Sequence, residues 1–405
     1  MEKMRCRGCR SEKINLVLDL GEQPWCNDFL TEDRVGKEEK YPLRLCYCEE
    51  CELLQLDHTV SKETMFADHQ YLSGMTKTLV NHFYEVAKEN VEQLNMQSDD
   101  LVVDIGGNDG SQLLQYKKAG VNNVLNVESA KRVSRISRDA GVKTVNEFFN
   151  EECARKHLGE KSVKLYNASG VFFHLEELHS VIKGIKYSLR QDGALIVQFM
   201  YAGAMIENGN FDTIYHEHLC YYTIRSLNNL LKPYGLEIFD AYYSDIHSGS
   251  IIAKICHDYS DLNIKTNRFL ALLKKDKKYS IQRTLEFAES VKQNKYALKE
   301  LLIDIKNNNK SVYVYGAPAK GNTLLNYFGI DNTLVDKAVE INQMKIGHYL
   351  PQSHIPICQE TKEDLPDYYL LLSHNFAKEI INKNQDIISQ GVKFIIPFPN
   401  LEVIG

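Results

Sequence analysis

Short apolar runs alternate with segments of helical period between residues 101 and 200. The apolar run LVVDIGGNDG (101–110) precedes the helical SQLLQYKKAG, VLNVES (124–129) precedes AKRVSRISRDAG, and a strand in VKLYNASGVFF precedes LEELHSVIKGIKYSLR. The turn QDG then leads into the strand ALIVQFM. Strands that alternate with helices in this way form a parallel sheet with helices on both faces. The pattern therefore predicts a doubly wound α/β domain.

The pattern changes on both sides of this domain. Residues 61–98 are predicted to be helical, and residues 279–309 predict one long helix that NNNK (307–310) ends. A second, smaller α/β unit begins with the strand SVYVYG and closes with the strand KFIIPFP. We therefore expect a module at 1–70, a core at 71–278, a linking helix at 279–310 and a C-terminal α/β domain at 311–405. A length of 405 residues agrees with several domains.

Composition narrows the class of protein. The chain is 43% hydrophobic and carries a net charge of −6, with a pI near 6.1. Proteins that coat nucleic acid or membrane surfaces need a basic face, which this balance disfavours. The sequence has no apolar run of the roughly 18 residues that a membrane span requires, and its N-terminus lacks the apolar core of a signal peptide. We expect a cytoplasmic protein that binds neither nucleic acid nor membrane.

Six of the ten cysteines lie within the first 51 residues, which in a reducing compartment favours a metal site over disulfide bonds. Two pairs have the C-x2-C spacing, Cys6 with Cys9 and Cys48 with Cys51. Such pairs supply four thiolates to a tetrahedral zinc, and the complete shell makes that zinc structural. The alternatives are a reduced cysteine-rich fold without metal, and Cys46 as the ligand in place of Cys48.

A glycine-rich turn, DIGGNDG, follows the first strand of the core, where open α/β sheets bind ligands. The dinucleotide-binding pattern G-x-G-x-x-G fails here at its second and third glycines, which disfavours NAD. The turn, with Asp104, Gly106, Asn108 and Gly110, instead resembles the first motif of class I S-adenosylmethionine-dependent methyltransferases. Glu128, at the end of the next strand, can accept both ribose hydroxyls of the adenosyl group. A turn without a ligand is the remaining alternative.

A phenol, a carboxylate and two imidazoles occupy four consecutive positions, Tyr215 to His218, in FDTIYHEHLCY (211–221). Helical metal pairs need i, i+4 spacing, so a metal site is disfavoured. Histidine titrates near working pH, and a neighbouring Glu or Tyr can orient it or stabilise charge. General base chemistry is therefore the functional interpretation, and a polar surface turn is the alternative.

The cysteine pairs, DIGGNDG and the YHEH motif together resemble the sugar C-methyltransferase family, which acts on nucleotide-linked 4-keto-deoxysugars; D-mycarose 3-C-methyltransferases are examples. The stretches VYVYGAPAKGNTLLNYFGI, MKIGHYLPQSHIPI and KFIIPFP resemble the family's C-terminal domain, so the likeness covers essentially the whole chain. The resemblance implies a zinc-binding module, a Rossmann-like methyltransferase core and a smaller Rossmann-like domain. It also implies S-adenosylmethionine as cofactor and structural Zn²⁺.

The resemblance implies roles for the residues that match the family's motifs. His218 matches the proposed base, which removes the proton on the carbon next to the ketone. Tyr215 and Glu217 match residues around the reacting sugar, and His174 aligns with a histidine near it. Tyr71 aligns with a tyrosine on the substrate side. Further candidate substrate contacts are Tyr221, His247, Lys320 and Asn322. For His174 and Tyr71 a purely structural role is the alternative.

Five positions depart from the family's pattern. The usual acidic residue in the strand before the YHEH motif is Gln198, the segment His-Gly-Gly-Ser has Ser248 at its second position, and an expected Arg is Ile252. The turn Pro-Gly-Thr of the C-terminal domain contains Gln352, and a usual Trp is His374. These departures bear on the identity of the substrate rather than on the base.

One further motif resembles a phosphate-binding loop. Residues 316–323, GAPAKGNT, fit the P-loop frame except that Asn322 replaces its lysine, which argues against ATP hydrolysis. A helix N-terminus still attracts phosphate, and Lys320 stands beside it. A contact with the nucleotide diphosphate is one hypothesis, and a plain strand–helix turn is the other.

The sequence thus predicts a methyltransferase that methylates a ring carbon, C3 in the leading interpretation, next to the ketone of a nucleotide-linked 4-keto-deoxysugar. His218 forms the enolate, and Tyr215 or His174 stabilises its oxygen, with no metal in the chemical step. Two alternatives remain open: an O- or N-methyltransferase on a small metabolite, and a non-catalytic zinc-containing binding protein. Whether the chain is a monomer or a dimer is also open.

Overall fold

In the part of the chain that the structure describes, three sheets follow one another, with four, seven and six strands. The computed structural model describes residues 4–66, 71–246, 249–361 and 363–405. Within these ranges no helix is both long enough and apolar enough to cross a membrane.

The first sheet is antiparallel. Its strands are β1 (Ile14–Pro24), β2 (Lys40–Cys48) and β3 (Leu54–Leu56), and helix α1 (Lys62–Phe66) follows them. Strand β2 pairs with both β1 and β3. Buried leucines from all three strands form its core.

The core domain follows the alternation that the sequence predicts. Its helices are α2 (Lys77–Gln93), α3 (Ser111–Lys118), α4 (Lys131–Asp139), α5 (Glu151–His157), α6 (Leu178–Ser188), α7 (Ala202–Asn208), α8 (Ile224–Leu231) and α9 (Asn267–Lys275). Its strands are β4 (Val102–Ile105), β5 (Val124–Val127), β6 (Lys143–Val145), β7 (Val163–Ser169), β8 (Leu189–Met200), β9 (Cys220–Tyr221), β10 (Leu236–Ser244) and β11 (Ser250–His257).

The second sheet has the order β10-β11-β8-β7-β4-β5-β6. Strands β4 to β8 are parallel, whereas β10 and β11 pair antiparallel. Strand β4 has β5 on one side and β7 on the other, so the strand order reverses there. Open α/β sheets bind ligands at the carboxyl ends of the strands at such a point. Strand β9 instead pairs with β3 and completes the first sheet. The predicted doubly wound α/β fold is confirmed.

Two predicted boundaries are wrong. The segment QDG is not a turn between helix and strand, because it lies within β8 at an irregularity in the pairing with β7. The Lys164 ammonium donates to the Asp192 carbonyl at 2.8 Å and to its carboxylate at 2.9 Å, which holds this extra chain against the sheet. The predicted helix at 61–98 is interrupted, since α1 ends at Phe66 and α2 begins at Lys77.

The long helix and the second α/β unit are present as predicted. The helices are α10 (Ile281–Asn307), α11 (Ala319–Phe328), α12 (Ala377–Lys383) and α13 (Gln385–Ile388). The strands are β12 (Val312–Tyr315), β13 (Lys337–Glu340), β14 (Ile357–Gln359), β15 (Tyr368–Leu371), β16 (Lys393–Ile396) and β17 (Glu402–Ile404). The third sheet has the order β14-β13-β12-β15-β16-β17, with β17 antiparallel. The boundaries proposed between the four segments stay a prediction.

Candidate active site

Four cysteine thiols converge beside the first sheet. Cys6 and Cys9 lie in the turn before β1, and Cys48 and Cys51 lie at the turn between β2 and β3. Their four Sγ atoms are all within 4.8 Å of one another. Four converging thiols fit a tetrahedral zinc that leaves no open position for substrate. The alternative ligand Cys46 lies outside this group.

The glycine-rich turn leaves β4 where the strand order of the core sheet reverses. Gly106 and Gly110 have φ angles of +62° and +80°, which glycine adopts without strain. A Cβ atom on Gly107 would lie 2.5 Å from the side chain of Asn126 on β5. The close approach explains why the sequence places a glycine there.

Glu128 closes this turn from the end of β5. Its Oε2 accepts the N–H of Asn108 at 3.0 Å, and its Oε1 accepts the N–H of Ala130 at 2.8 Å. The Asp104 carboxyl group is 2% exposed. Burial raises its pKa well above the usual range, and the charges of Glu128 and Asp109 raise it further. The residues predicted for the methyl-donor site therefore lie together at the carboxyl ends of β4 and β5, a region that we call the donor crevice.

Residues 71–76, which precede α2, contact the same turn. Asn108 donates through Nδ2 to the Tyr71 carbonyl at 3.0 Å, and its Oδ1 accepts the N–H of Ser73 at 2.9 Å. The N–H of Gly74 donates to Asp109 Oδ2 at 2.8 Å. These side chains replace helical partners of the backbone, which is why the predicted continuous helix fails here. The Tyr71 side chain is 59% exposed.

The loop after β7 joins the donor crevice to the YHEH segment (residues 211–221). A Cβ atom on Gly106 would lie 2.9 Å from Val171, so this loop packs directly on the glycine-rich turn. The N–H of His174 donates to the Val171 carbonyl at 2.8 Å, and the Phe173 carbonyl accepts the N–H of Leu219 at 2.8 Å. The loop therefore contacts the donor crevice on one side and the YHEH segment on the other.

Two imidazoles lie side by side at this junction. The ring centroids of His174 and His218 are 5.0 Å apart. His218 Nδ1 lies 2.8 Å from the Thr213 carbonyl, and His174 Nδ1 lies 2.6 Å from the Glu217 carbonyl. A carbonyl can only accept, so Nδ1 carries the hydrogen in both rings. In the neutral state the basic nitrogen of each ring is therefore Nε2.

Two phenols flank His218. The ring centroid of Tyr215 is 3.8 Å from that of His218, and the Tyr221 hydroxyl donates to the Thr213 carbonyl at 3.5 Å. Burial raises the pKa of both phenols well above the usual range, and the nearby Glu217 charge adds to the rise at Tyr215. Both groups are thus protonated at neutral pH and can donate hydrogen bonds.

The Glu217 carboxylate contacts the N-terminal module. Its Oε1 accepts the indole N–H of Trp25 and the amide N–H of Asn27, each at 2.6 Å. Neither Trp25 nor Asn27 belongs to a motif that is visible in the sequence. The one feature of the sequence that could have drawn attention to Trp25 is that it is the single tryptophan of the chain. These two bonds connect the YHEH segment to a turn about 190 residues earlier.

The first turn of the YHEH segment contacts the C-terminal domain. The buried Asp212 carboxylate accepts from His374 Nε2 at 3.0 Å, and the Lys320 ammonium lies 3.3 Å from it. Burial would raise the pKa of Asp212, but the charges of Lys320 and His374 outweigh that effect and lower it. Lys320 also donates to the Asn375 side chain at 2.9 Å. The predicted phosphate-contacting lysine thus lies beside the YHEH segment.

The remaining predicted contacts differ in their placement. Asn322 is completely buried and donates to the Cys26 carbonyl at 2.7 Å, so its side chain joins the C-terminal domain to the N-terminal module. His247 and Ser248 lie outside the described residues.

The three other departures from the family's pattern lie in the described part of the chain. The amide of Gln198, near the end of β8, lies 2.8 Å from His82 Nε2, and the buried Ile252 is its neighbour on β11. Gln352 has a φ of +66°, and its N–H donates to Glu38 of the N-terminal module at 3.0 Å.

Comparison with known proteins identifies the family. Three family models match in chain order: a zinc binding domain at residues 6–66, a methyltransferase domain at 80–241 and a C-methyltransferase C-terminal domain at 245–399. The chain is 30% identical to the C-methyltransferase NovU of Streptomyces niveus over 99% of its own length and 96% of that protein. The chain belongs to the C-methyltransferase family. The resemblance seen in the motifs is thereby confirmed.

Membership decides between the activities that the sequence left open. This C-methyltransferase uses S-adenosylmethionine as its cofactor and transfers the methyl group to carbon. The O- or N-methyltransferase and the non-catalytic binding protein are therefore set aside. The four grouped cysteines all lie within the zinc binding domain, which agrees with a structural zinc in that domain.

Solved structures resemble part of the chain. Geranyl diphosphate methyltransferase in complex with S-adenosylmethionine shares 10% identity and a TM-score of 0.34, covering 45% of this chain and 92% of that one. The YcgJ protein of Bacillus subtilis shares 13% identity and a TM-score of 0.34, covering 40% of this chain and 73% of that one.

Proposed function

We propose that this C-methyltransferase methylates a ring carbon, C3, next to the ketone of a nucleotide-linked 4-keto-deoxysugar, with His218 as the base. The observation that carries the proposal is the position of the His218 ring. The ring packs against Tyr215 and Phe173, where the YHEH segment meets the donor crevice. Its basic nitrogen is Nε2. The sugar and its nucleotide rest on the resemblance of the motifs.

Carbon methylation requires a carbon nucleophile. An α-proton of a ketone is far less acidic than an imidazolium, so a base alone forms too little enolate. His218 takes the proton on Nε2, while the Thr213 carbonyl keeps the Nδ1 hydrogen in place. The neighbouring His216 is a poorer base, because burial lowers its pKa to about 4.

The developing enolate oxygen needs a hydrogen-bond donor, which in comparable oxyanion sites contributes roughly 3–4 kcal/mol. Tyr215 is the better candidate, because its raised pKa keeps the phenol protonated beside the base. His174 already uses its Nδ1 hydrogen on the Glu217 carbonyl, so it donates from Nε2 only as the imidazolium. We therefore assign the donor role to Tyr215 and a supporting position to His174.

S-adenosylmethionine supplies an electrophilic methyl group when it is bound. Asp104, Asn108 and Glu128 would hold it in the donor crevice. The chain's own task is then to bring the nucleophilic carbon to that crevice and to exclude water, which can contribute several kcal/mol through proximity.

The proposal is tested in heavy water with a panel of nucleotide-linked 4-ketosugars. Without the methyl donor, the wild-type enzyme should exchange deuterium into the α carbon, and with the donor the product should gain the mass of one methyl group. His218→Asn removes the base, so both rates should fall by ~10²–10⁴-fold while S-adenosylmethionine binding survives.

His216→Asn is the matched control. This variant alters the adjacent imidazole, whose Nε2 lies 3.3 Å from the Tyr41 carbonyl, and should keep both activities even if it melts earlier. Exchange that persists in His218→Asn would show that another group is the base. If no sugar of the panel is methylated by the wild type, the proposed substrate class is wrong.

Lys320 is proposed to contact the nucleotide diphosphate. Its ammonium is already 3.3 Å from Asp212 and lies near the first turn of α11. Lys320→Ala should raise the KM for the nucleotide sugar by about tenfold, the loss expected for one charge-assisted hydrogen bond, with little change in the KM for the methyl donor. Lys310→Ala, which precedes β12 at the opposite end of the strand, is the control. An unchanged sugar KM in Lys320→Ala would remove the contact.

A further inference from the structure

We propose that Trp25 and Asn27 of the N-terminal module are positioning residues for catalysis. They hold the Glu217 carboxylate and, through that residue, fix the ring of His174. This inference rests on the proposed function in so far as His174 belongs to the sugar site. It assigns the N-terminal module a part in the reaction besides binding zinc.

The contact is specific in its chemistry. The turn that follows β1 presents two neutral N–H donors to one oxygen, Glu217 Oε1, at 2.6 Å each. Two donors on one oxygen favour the ionised carboxylate and restrict its rotation. The turn is also held from its other side, because the buried Asn322 donates to the carbonyl of Cys26, which lies between the two donor residues.

Glu217 transmits this restraint to the imidazole. The same residue whose carboxylate is held by the turn offers its backbone carbonyl to His174 Nδ1 at 2.6 Å. A rotation of the Glu217 peptide would break this bond and turn the His174 ring, which lies 5.0 Å from His218. Orientation errors of about 1 Å at reacting groups reduce rates by as much as ~10²-fold, so a hydrogen bond at this distance from the chemistry can matter.

A structural role for the same bonds predicts a different result, and the chain offers a matched control. Arg225 and Glu52 form an ion pair between the core and the N-terminal module, with Arg225 Nε 2.6 Å from Glu52 Oε2. Glu52→Gln weakens another contact between the same two domains, at a site that does not touch Glu217. It therefore reports what a loss of docking does by itself.

The test compares Trp25→Phe, which keeps an aromatic ring but lacks the N–H, with Asn27→Ala and Glu52→Gln. In the full-length, zinc-loaded enzyme, Trp25→Phe should lower kcat by about tenfold with little change in the KM for S-adenosylmethionine or in zinc content. Glu52→Gln should lower the melting temperature but keep the kcat of the folded protein. Equal kcat values in Trp25→Phe and Glu52→Gln would overturn the inference.

A second measurement needs no substrate. The Cε1–H resonance of His174, identified by its loss in His174→Asn, should shift in Trp25→Phe and stay in place in Glu52→Gln. The indole N–H resonance of the single tryptophan should shift in Glu217→Ala. If either signal is unmoved, the positioning role is wrong, whatever the substrate. A wild type that methylates no ketosugar while these resonances shift would instead reject the proposed function and keep the restraint on His174.

Discussion

Asp104 is a carboxyl group that the fold buries next to two other carboxylates, Glu128 and Asp109. Its raised pKa has a defined sign for stability. Because the folded protein favours the protonated form, ionisation of Asp104 costs folding free energy, and this cost grows as the pH rises from the usual carboxyl pKa of about 3.9 through the raised value. Because Asp104 lowers the stability of the fold at neutral pH, its presence is better explained by a role in binding a ligand than by a contribution to folding.

Replacing the Asp104 carboxyl group by an amide should therefore raise the stability of the protein and weaken its binding of the methyl donor. Asp104→Asn should raise the melting temperature of the donor-free protein at neutral pH, by ~2–4 °C for each kcal/mol gained, and should weaken S-adenosylmethionine binding. Calorimetry with and without the donor measures both effects. Asp100→Asn is the control, because that carboxylate lies outside this group, accepts hydrogen bonds from Arg190 and the Gln97 N–H, and should not share the gain. A lower melting temperature in Asp104→Asn would contradict the account.

The side chains of the YHEH segment were predictable because they are adjacent in sequence and form an unusual combination of chemical types. Their orientations were not. The tautomers of His174 and His218 depend on carbonyl groups of Glu217 and Thr213, which only the folded loop brings into range. The bond between Glu217 and Trp25 joins residues 192 positions apart, and no local pattern indicates it.

At the scale of elements, strand and helix alternation predicted the core sheet because its period persists over about 100 residues. The break between α1 and α2 could not be predicted in the same way. Residues 71–76 leave the helix because side chains of the glycine-rich turn bind their backbone, which is a tertiary effect that overrides local propensity. The QDG segment became part of β8 for a similar reason, the contact of Asp192 with Lys164.

The interrupted helix therefore predicts a binding phenotype. A Cβ atom on Gly74 would lie 2.5 Å from Ser111 Oγ and 3.0 Å from Asp109 Oδ2. Gly74→Ala should lift this segment from the glycine-rich turn and raise the Kd for S-adenosylmethionine by about tenfold, the equivalent of ~1.4 kcal/mol. Gly159→Ala, where the nearest atom would be 3.4 Å away, is the control. Titration calorimetry that finds equal affinities in the two variants would contradict the assigned contact.

At the scale of the whole molecule, three domains meet at the YHEH segment. The N-terminal module holds Glu217, and the C-terminal domain holds Asp212 through His374 and Lys320. The order of the domains could be predicted from motifs along the chain. Their meeting point could not, because it depends on surfaces that are complementary only after each domain has folded.

Loss of zinc should therefore act at a distance. Structural zinc supplies much of the folding free energy of small metal-binding modules. Cys48→Ser should lose the metal, shift the Trp25 emission to the red and abolish methyl transfer, while donor binding by the core domain persists. Cys46→Ser changes a neighbouring thiol outside the metal group and should keep the metal and the activity. Metal analysis, fluorescence and calorimetry provide the readouts, and a full zinc content in Cys48→Ser would reject the ligand set.

Strand β9 carries a consequence for how such enzymes can be recombined. It begins two residues after His218, yet it pairs with β3, so the core contributes the last strand of its neighbour's sheet. A chimaera that joins residues 4–66 to the methyltransferase domain of another enzyme would lack β9. The edge of β3, Leu54–Leu56, would then be exposed to intermolecular pairing. The two units are therefore expected to be inherited together, and separation would end in aggregation rather than in an independent module.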